Sequence, residues 1–231
     1  MPFLSADEWT AVALSLQVSL WATAASLPFG ILVALVLARG DFPGKQILNG
    51  LVHLPLILPP VVTGYILLVT FGRRGPVGAF LEEQLGIVLA FRWTGAALAA
   101  AIMAFPLMVR AIRLAIEAVD PKLEQAAGTL GASRVLVFAT VTLPLILPGI
   151  IAGAVLAFAK AMGEFGATIT FVSNIPGQTQ TLPTAIYAFL QVPGGEASAL
   201  RLVLISVAVA MTALIVSEGV ARLVARRIRG T

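Results

Sequence analysis

Long apolar runs alternate with short polar breaks along this chain, and the runs exceed the length of a buried strand or of one face of a soluble helix. The first, from about Thr10 to Ala38, is interrupted by Pro28 and Gly30; at about 1.5 Å per residue it covers a hydrocarbon core of about 30 Å with tilt. A second, about Leu48 to Phe71, carries Pro55, Pro59 and Pro60. Each proline frees a backbone carbonyl that then needs a partner inside the protein or a watered path. This is a candidate pathway helix, with a packing kink as the plainer reading. Phe71 to Arg92 reads as a glycine-bearing loop with Arg73, Arg74, Glu82, Glu83 and Arg92, and the third run spans about Thr94 to Leu114. Ala97, Ala99, Ala100, Ala101 and Ala104 let that helix pack closely in lipid, and Arg110 and Arg113 mark its end. A fourth run, about Val135 to Phe165, is broken by Pro144, Pro148 and Gly149. Leu182 to Val192 is apolar but too short to span, which predicts a re-entrant or external interfacial helix, with a sixth crossing as the alternative. The last run, about Ala199 to Val224, ends in Arg226-Arg227-Ile228-Arg229.

Between the third and fourth runs the pattern changes. Asp120 can accept from the first free N–H groups and Pro121 suits the first helical position; Leu123, Ala126, Ala127 and Leu130 then fall at i, i+3, i+4 and i+7. Gly131 ends this helix and Ser133 can cap the next one. Ala126, Ala127, Gly128 and Gly131 would let another protein approach the backbone closely, whereas a helix lying in the lipid interface is the bland reading.

Composition narrows the class. With 59% hydrophobic and 11% charged residues and a mean hydropathy of +0.99, the chain reads as an all-α polytopic membrane protein of about five transmembrane helices in one domain, residues 1–231. No cysteine offers a disulfide or a thiolate metal site, and His53 is the only histidine, so neither metal nor cofactor is expected. The net charge of +4 sits at helix ends, where it serves orientation, so no nucleic-acid partner is expected. Asp7 and Glu8, with no basic residue before Arg39, do not look like the start of a cleavable leader, so the first run should stay in the mature protein. If the Arg39–Lys45 turn, the Arg110–Arg134 segment and the Arg222–Arg229 tail face the cytoplasm, they hold ten of the 15 Lys and Arg. That bias predicts five crossings, N-terminus outside and C-terminus inside.

Gln125-Ala126-Ala127, Gly131 and Val141-Thr142-Leu143-Pro144 together resemble the cytoplasmic docking motif of ABC importer membrane subunits. Two positions depart from it: Gln125 stands where the family usually has Glu, with Glu124 one place earlier, and Val141 replaces Ile. His53-Leu54-Pro55-Leu56-Ile57-Leu58-Pro59-Pro60, Gly163-Glu164-Phe165-Gly166-Ala167-Thr168 and Phe171-Val172-Ser173-Asn174-Ile175-Pro176-Gly177 resemble the molybdate branch of the sulfate, molybdate and tungstate permeases. The resemblance implies a permease subunit of the bacterial inner membrane that moves molybdate by alternating access, with tungstate or sulfate/thiosulfate as the alternative cargo. It also implies a separate ATPase subunit in two copies and an external oxyanion-binding protein. One docking segment per chain, and too few helices to enclose a path, predict a homodimer within the lipid bilayer.

Under this reading Glu124, Gln125, Ala126, Ala127, Gly128 and Gly131 dock the ATPase. Lys160 and Glu164, four apart on one helix face, pair either as a structural ion pair or as part of a gate. Pro59, Pro60, Thr63, Thr168, Ser173 and Asn174 are pathway candidates, because hydroxyls and backbone N–H groups can meet an oxyanion without a fixed charge. Arg73 and Arg74 are candidates for attracting dianions at an outer mouth. The chain is not expected to be an enzyme. Gly40 and Gly44-Lys45 lack phosphate-loop spacing, Asp7, Asp41 and Asp120 fall outside the spans, and neither a Gly-x-Ser-x-Gly turn nor an His-Glu-x-x-His helix occurs. A passive channel would leave the docking helix without a purpose.

Overall fold

The computed structural model describes residues 4–229, with the side chains of Ser217 and of residues 220–229 outside that description, the arginine-rich tail among them. Its elements are α1 (Ala6–Arg39), α2 (Lys45–Ile57), α3 (Pro60–Phe71), α4 (Pro76–Leu85), α5 (Trp93–Glu117), α6 (Pro121–Thr129), α7 (Arg134–Val137), a π-helical turn (Phe138–Thr142), α8 (Leu143–Met162), α9 (Gly166–Val172), α10 (Leu182–Leu190) and α11 (Glu196–Arg229). Among the described residues four helical stretches are long and apolar enough to cross a membrane, and α2 with α3 makes a fifth if that bent pair counts as one span.

The ends of the molecule are fixed by contacts. Fully buried Glu8 pairs with Arg201 at 2.6 Å, so α1 and α11 begin at the same end. Arg39, closing α1, donates to the Val119 carbonyl just beyond α5 and pairs with Glu124 of α6, so these segments share the opposite end. Trp21 stacks near Trp93, and Gly30 lies against Met108, so α1 and α5 run parallel. A Cβ at Gly30 would stand 2.7 Å from Met108 Sδ, which is why that position carries none. The main core forms where α5 meets α1 and α8, around Leu37, Ala96, Met108, Ile112, Ile116 and Ile146.

Four expectations need correction. The first run is one continuous helix through Pro28 and Gly30, because neighbouring helices support a proline that would break an isolated one. The second run is not one continuous helix: its axis turns by 112° at Leu58–Pro59, where Pro59 and Pro60 together end α2 and start α3. The presumed loop from Phe71 to Arg92 contains α4, started by Pro76 at its first position and closed by left-handed Gly86. The fourth run is unbroken from Arg134 to Met162. Its strain is absorbed by the π turn just before Pro144, where the Leu143 N–H reaches back to the Phe138 carbonyl.

The short apolar piece does not cross. Leu182 and Ala185 of α10 pack with Ala11 and Val12 of α1 and Leu202 of α11, and the Leu182 N–H donates to Ser15 Oγ at 2.6 Å. Those α1 positions precede the level at which α5 begins, so α10 lies at the Glu8 end.

Candidate functional site

The docking segment folds as its residues dictate. Asp120 accepts from the Lys122 N–H, Ser133 accepts from the Leu136 N–H, and Gly131 takes a φ of +86° that an L side chain rarely adopts. α6 buries none of its residues. Leu123, Leu130, Val135 and Leu136 are exposed, Leu130 to 89%, so an apolar face with small residues in it stands free at the Arg39 end. Gln125, Ala126, Gly128 and Gly131 are exposed and Ala127 is half-buried.

Glu124 turns the other way. Its Oε1 accepts from Arg39 Nη2 at 3.2 Å and from Thr142 Oγ1 at 2.7 Å, tying α6 both to the end of α1 and to the π turn that leads into α8. The sequence placed Glu124 with the docking residues but gave no sign that it contacts Arg39 or Thr142. Arg39 lies 85 positions away, and no local pattern announces such a contact.

The pathway candidates fall into two groups. Pro59, Pro60, Thr63, Lys160, Glu164 and Thr168 converge where α3 crosses α9. A Cβ on Gly64 would stand 2.6 Å from the Ala167 carbonyl, and one on Gly166 would stand 2.7 Å from Pro60 Cβ, so glycine sets how closely the two short helices approach. Thr63 and Thr168 are buried, and Thr63 Oγ1 has no hydrogen-bond partner among the described residues. Glu164, 2% exposed, accepts from Lys160 Nζ at 2.7 Å through one oxygen and from the Ala167 N–H at 3.0 Å through the other, so it joins the end of α8 to the start of α9.

Ser173 and Asn174 lie beyond that crossing. Ser173 has φ +66° and ψ −162°, a backbone state populated almost only by glycine, and its carbonyl accepts from Thr179 Oγ1. Asn174 donates to the Thr184 carbonyl, while its buried Oδ1 has no partner among the described residues. Of the two outer-mouth candidates, Arg73 pairs with Glu82 of α4 at 3.4 Å, so part of its charge is answered inside the chain. Arg74 is exposed beside it, at a hollow of about 450 Å³ that also touches Phe91.

Residues 26–230 match the family described as binding-protein-dependent transport system inner membrane component. The chain belongs to this family. The permease is 63% identical over 220 residues to the molybdenum transport system permease protein ModB of Escherichia coli K12, covering 95% of this chain and 96% of that one. It is 54% identical to the protein of the same name from Haemophilus influenzae, over 91% of this chain and 92% of that one. The fold is that of a bacterial ABC transporter involved in import of the polysaccharide alginate, with a TM-score of 0.75 at 20% identity over 95% of this chain and 80% of that one. The permease is thus a multi-pass inner-membrane subunit of an ABC transporter.

Proposed function

We propose that the permease carries molybdate inward as a homodimer, on two ATPase subunits that dock on α6, after an external binding protein delivers the anion. The observation that carries the cargo is the 63% identity, nearly end to end, with a molybdenum transport permease. The exposed apolar face around Leu123, Ala126, Ala127 and Leu130 supports docking at α6. The Arg39 end then faces the cytoplasm, which puts the N-terminus outside and the C-terminus inside, in keeping with the basic-residue bias. The chain itself hydrolyses no ATP in this reading.

The mechanism follows from the contacts. Displacement of α6 by the ATPase passes through Glu124 to Arg39 on α1 and to Thr142 at the π turn, where the register of α8 is already loosened. α8 hands the motion through Lys160–Glu164 to α9, and α9 moves against α3 at the glycine-mediated crossing. Two short helices at a crossing can shift with little repacking, which suits a gate. Their hydroxyls and backbone groups offer weak contacts that let an oxyanion go.

Co-expression with the ATPase subunit tests docking. Wild type should co-purify with it, and Gly131→Asp and Ala127→Glu should lose it while still inserting in the membrane. Uptake of labelled molybdate into vesicles, with sulfate and tungstate as competitors, tests the cargo. A wild type that retains no ATPase, or variants that retain it equally, would sink the docking assignment.

A further inference from the structure

On α5, Arg110, Arg113, Leu114 and Glu117 fall at i, i+3, i+4 and i+7, along one face of its last turns. They meet Asn49 and His53, one turn apart on α2, around a cavity of about 280 Å³ toward the Arg39 end. A larger hollow of about 540 Å³, also between α2 and α5 but reaching α1, is lined by apolar side chains such as Phe29, Leu51, Pro55 and Phe105. Of these two neighbouring hollows, the smaller is the one with charged lining.

Its charges do not cancel. Arg113 donates through Nε to Glu117 Oε1 at 2.7 Å and through Nη1 to Asn49 Oδ1 at 3.2 Å, so the one carboxylate is answered and that guanidinium is held in place. Arg110 is exposed and has no hydrogen-bond or ion-pair partner among the described residues. His53 Nδ1 donates to the Asn49 carbonyl at 2.8 Å, so Nε2 is the acceptor nitrogen of the ring and adds no donor to the cavity. Arg110 and the anchored Arg113 thus put two guanidinium groups in a cavity wide enough for a small tetrahedral anion, and His53 serves as part of its wall. A planar guanidinium matches two oxygens of such an anion at once.

We infer that this cavity is an oxyanion-binding site at the inner end of the permease, which receives the transported dianion before release to the cytoplasm. The assignment rests on the importer reading above. A phospholipid phosphate presents the same chemistry at the membrane surface, so the test must separate the two sources. An open, partly solvated site screens its charges and holds the anion weakly, as release requires.

The permease–ATPase complex is reconstituted in nanodiscs of phosphatidylcholine, with or without phosphatidylglycerol, and titrated with labelled molybdate in the absence of the external binding protein. Arg110→Gln should weaken binding about tenfold, Arg110→Lys should recover it to within about threefold of wild type, and Arg92→Gln, at the other end of α5, should leave it unchanged. Binding should also fall as salt rises. Phosphatidylglycerol retention that drops in Arg110→Gln, read by native mass spectrometry beside a flat molybdate titration, assigns the cavity to a headgroup and overturns its role toward cargo. Flat titrations for every variant, with ATP-driven molybdate uptake intact, overturn the inner site alone. A wild type that takes up no molybdate overturns the functional reading itself.

Discussion

Two short helices stand off the main bundle at opposite ends, and they treat their apolar residues in opposite ways. α10 buries Leu182 and Ala185 against α1 and α11. α6 buries nothing and leaves Leu123 in solvent, with Leu130 just beyond it. The difference teaches that apolar residues on a short helix can serve either closure of the fold or attachment of a partner, and that the neighbours decide which. α10 is held by a buried backbone-to-Ser15 hydrogen bond beside the Glu8–Arg201 pair. Among the described residues, Glu124 makes the side-chain hydrogen bonds that tie α6 to α1 and the π turn, so the outward side of α6 stays available.

Charge placed on each helix gives the largest contrast. Ala185→Asp puts an unpaired carboxylate where the residue is almost wholly buried and should cost about 3 kcal/mol or prevent folding, read as loss of a monodisperse detergent-solubilised peak. Leu123→Asp should change permease stability by less than about 0.5 kcal/mol yet abolish ATPase co-purification. If both variants unfold, the two helices are not different in kind.

Next in size, Glu8→Ala removes the buried partner of Arg201 and should lower stability by about 2 kcal/mol, discounted because Arg201 is partly exposed. The melting temperature should fall while ATPase binding persists. Glu124→Gln should act in the opposite sense. The half-exposed pair with Arg39 contributes less than about 1 kcal/mol, so the complex should form and melt normally, but ATP hydrolysis should uncouple from uptake. Equal uptake in wild type and Glu124→Gln would remove Glu124 from the coupling route. A change in the stabilising direction is expected at Ser173, on the approach to α10. Ser173→Gly relieves a strained backbone and should raise stability by about 1 kcal/mol, and a decrease would mean that the side chain does more than the turn requires.

Much of this was legible in local pattern. The Asp120–Pro121 start, the Gly131 stop and the Ser133 cap of the docking segment each depend on residues within a few positions of one another, and each is found. The Lys160–Glu164 pair expected from helical spacing forms, but with Glu164 in the break between α8 and α9 and not on a shared helix face. Prolines misled where neighbours supply support: Pro28 and Pro148 sit inside continuous helices, and only Pro59–Pro60, adjacent and with no N–H on either, turns the chain sharply. The helix from Pro76 to Leu85 was hidden by the glycines and charges around it.

By itself the sequence determined that the chain is helical, lives in a bilayer and carries a capped, amphipathic segment between two spans, because hydropathy and caps act over a few residues. The tertiary structure decided the rest. It set which end each helix reaches, that Glu124 faces Arg39 and Thr142, that α3 and α9 cross at glycine, and that Arg110, Arg113 and His53 share a cavity. Those are meetings of residues tens of positions apart, fixed by how whole helices pack, and packing is a property of many side chains together.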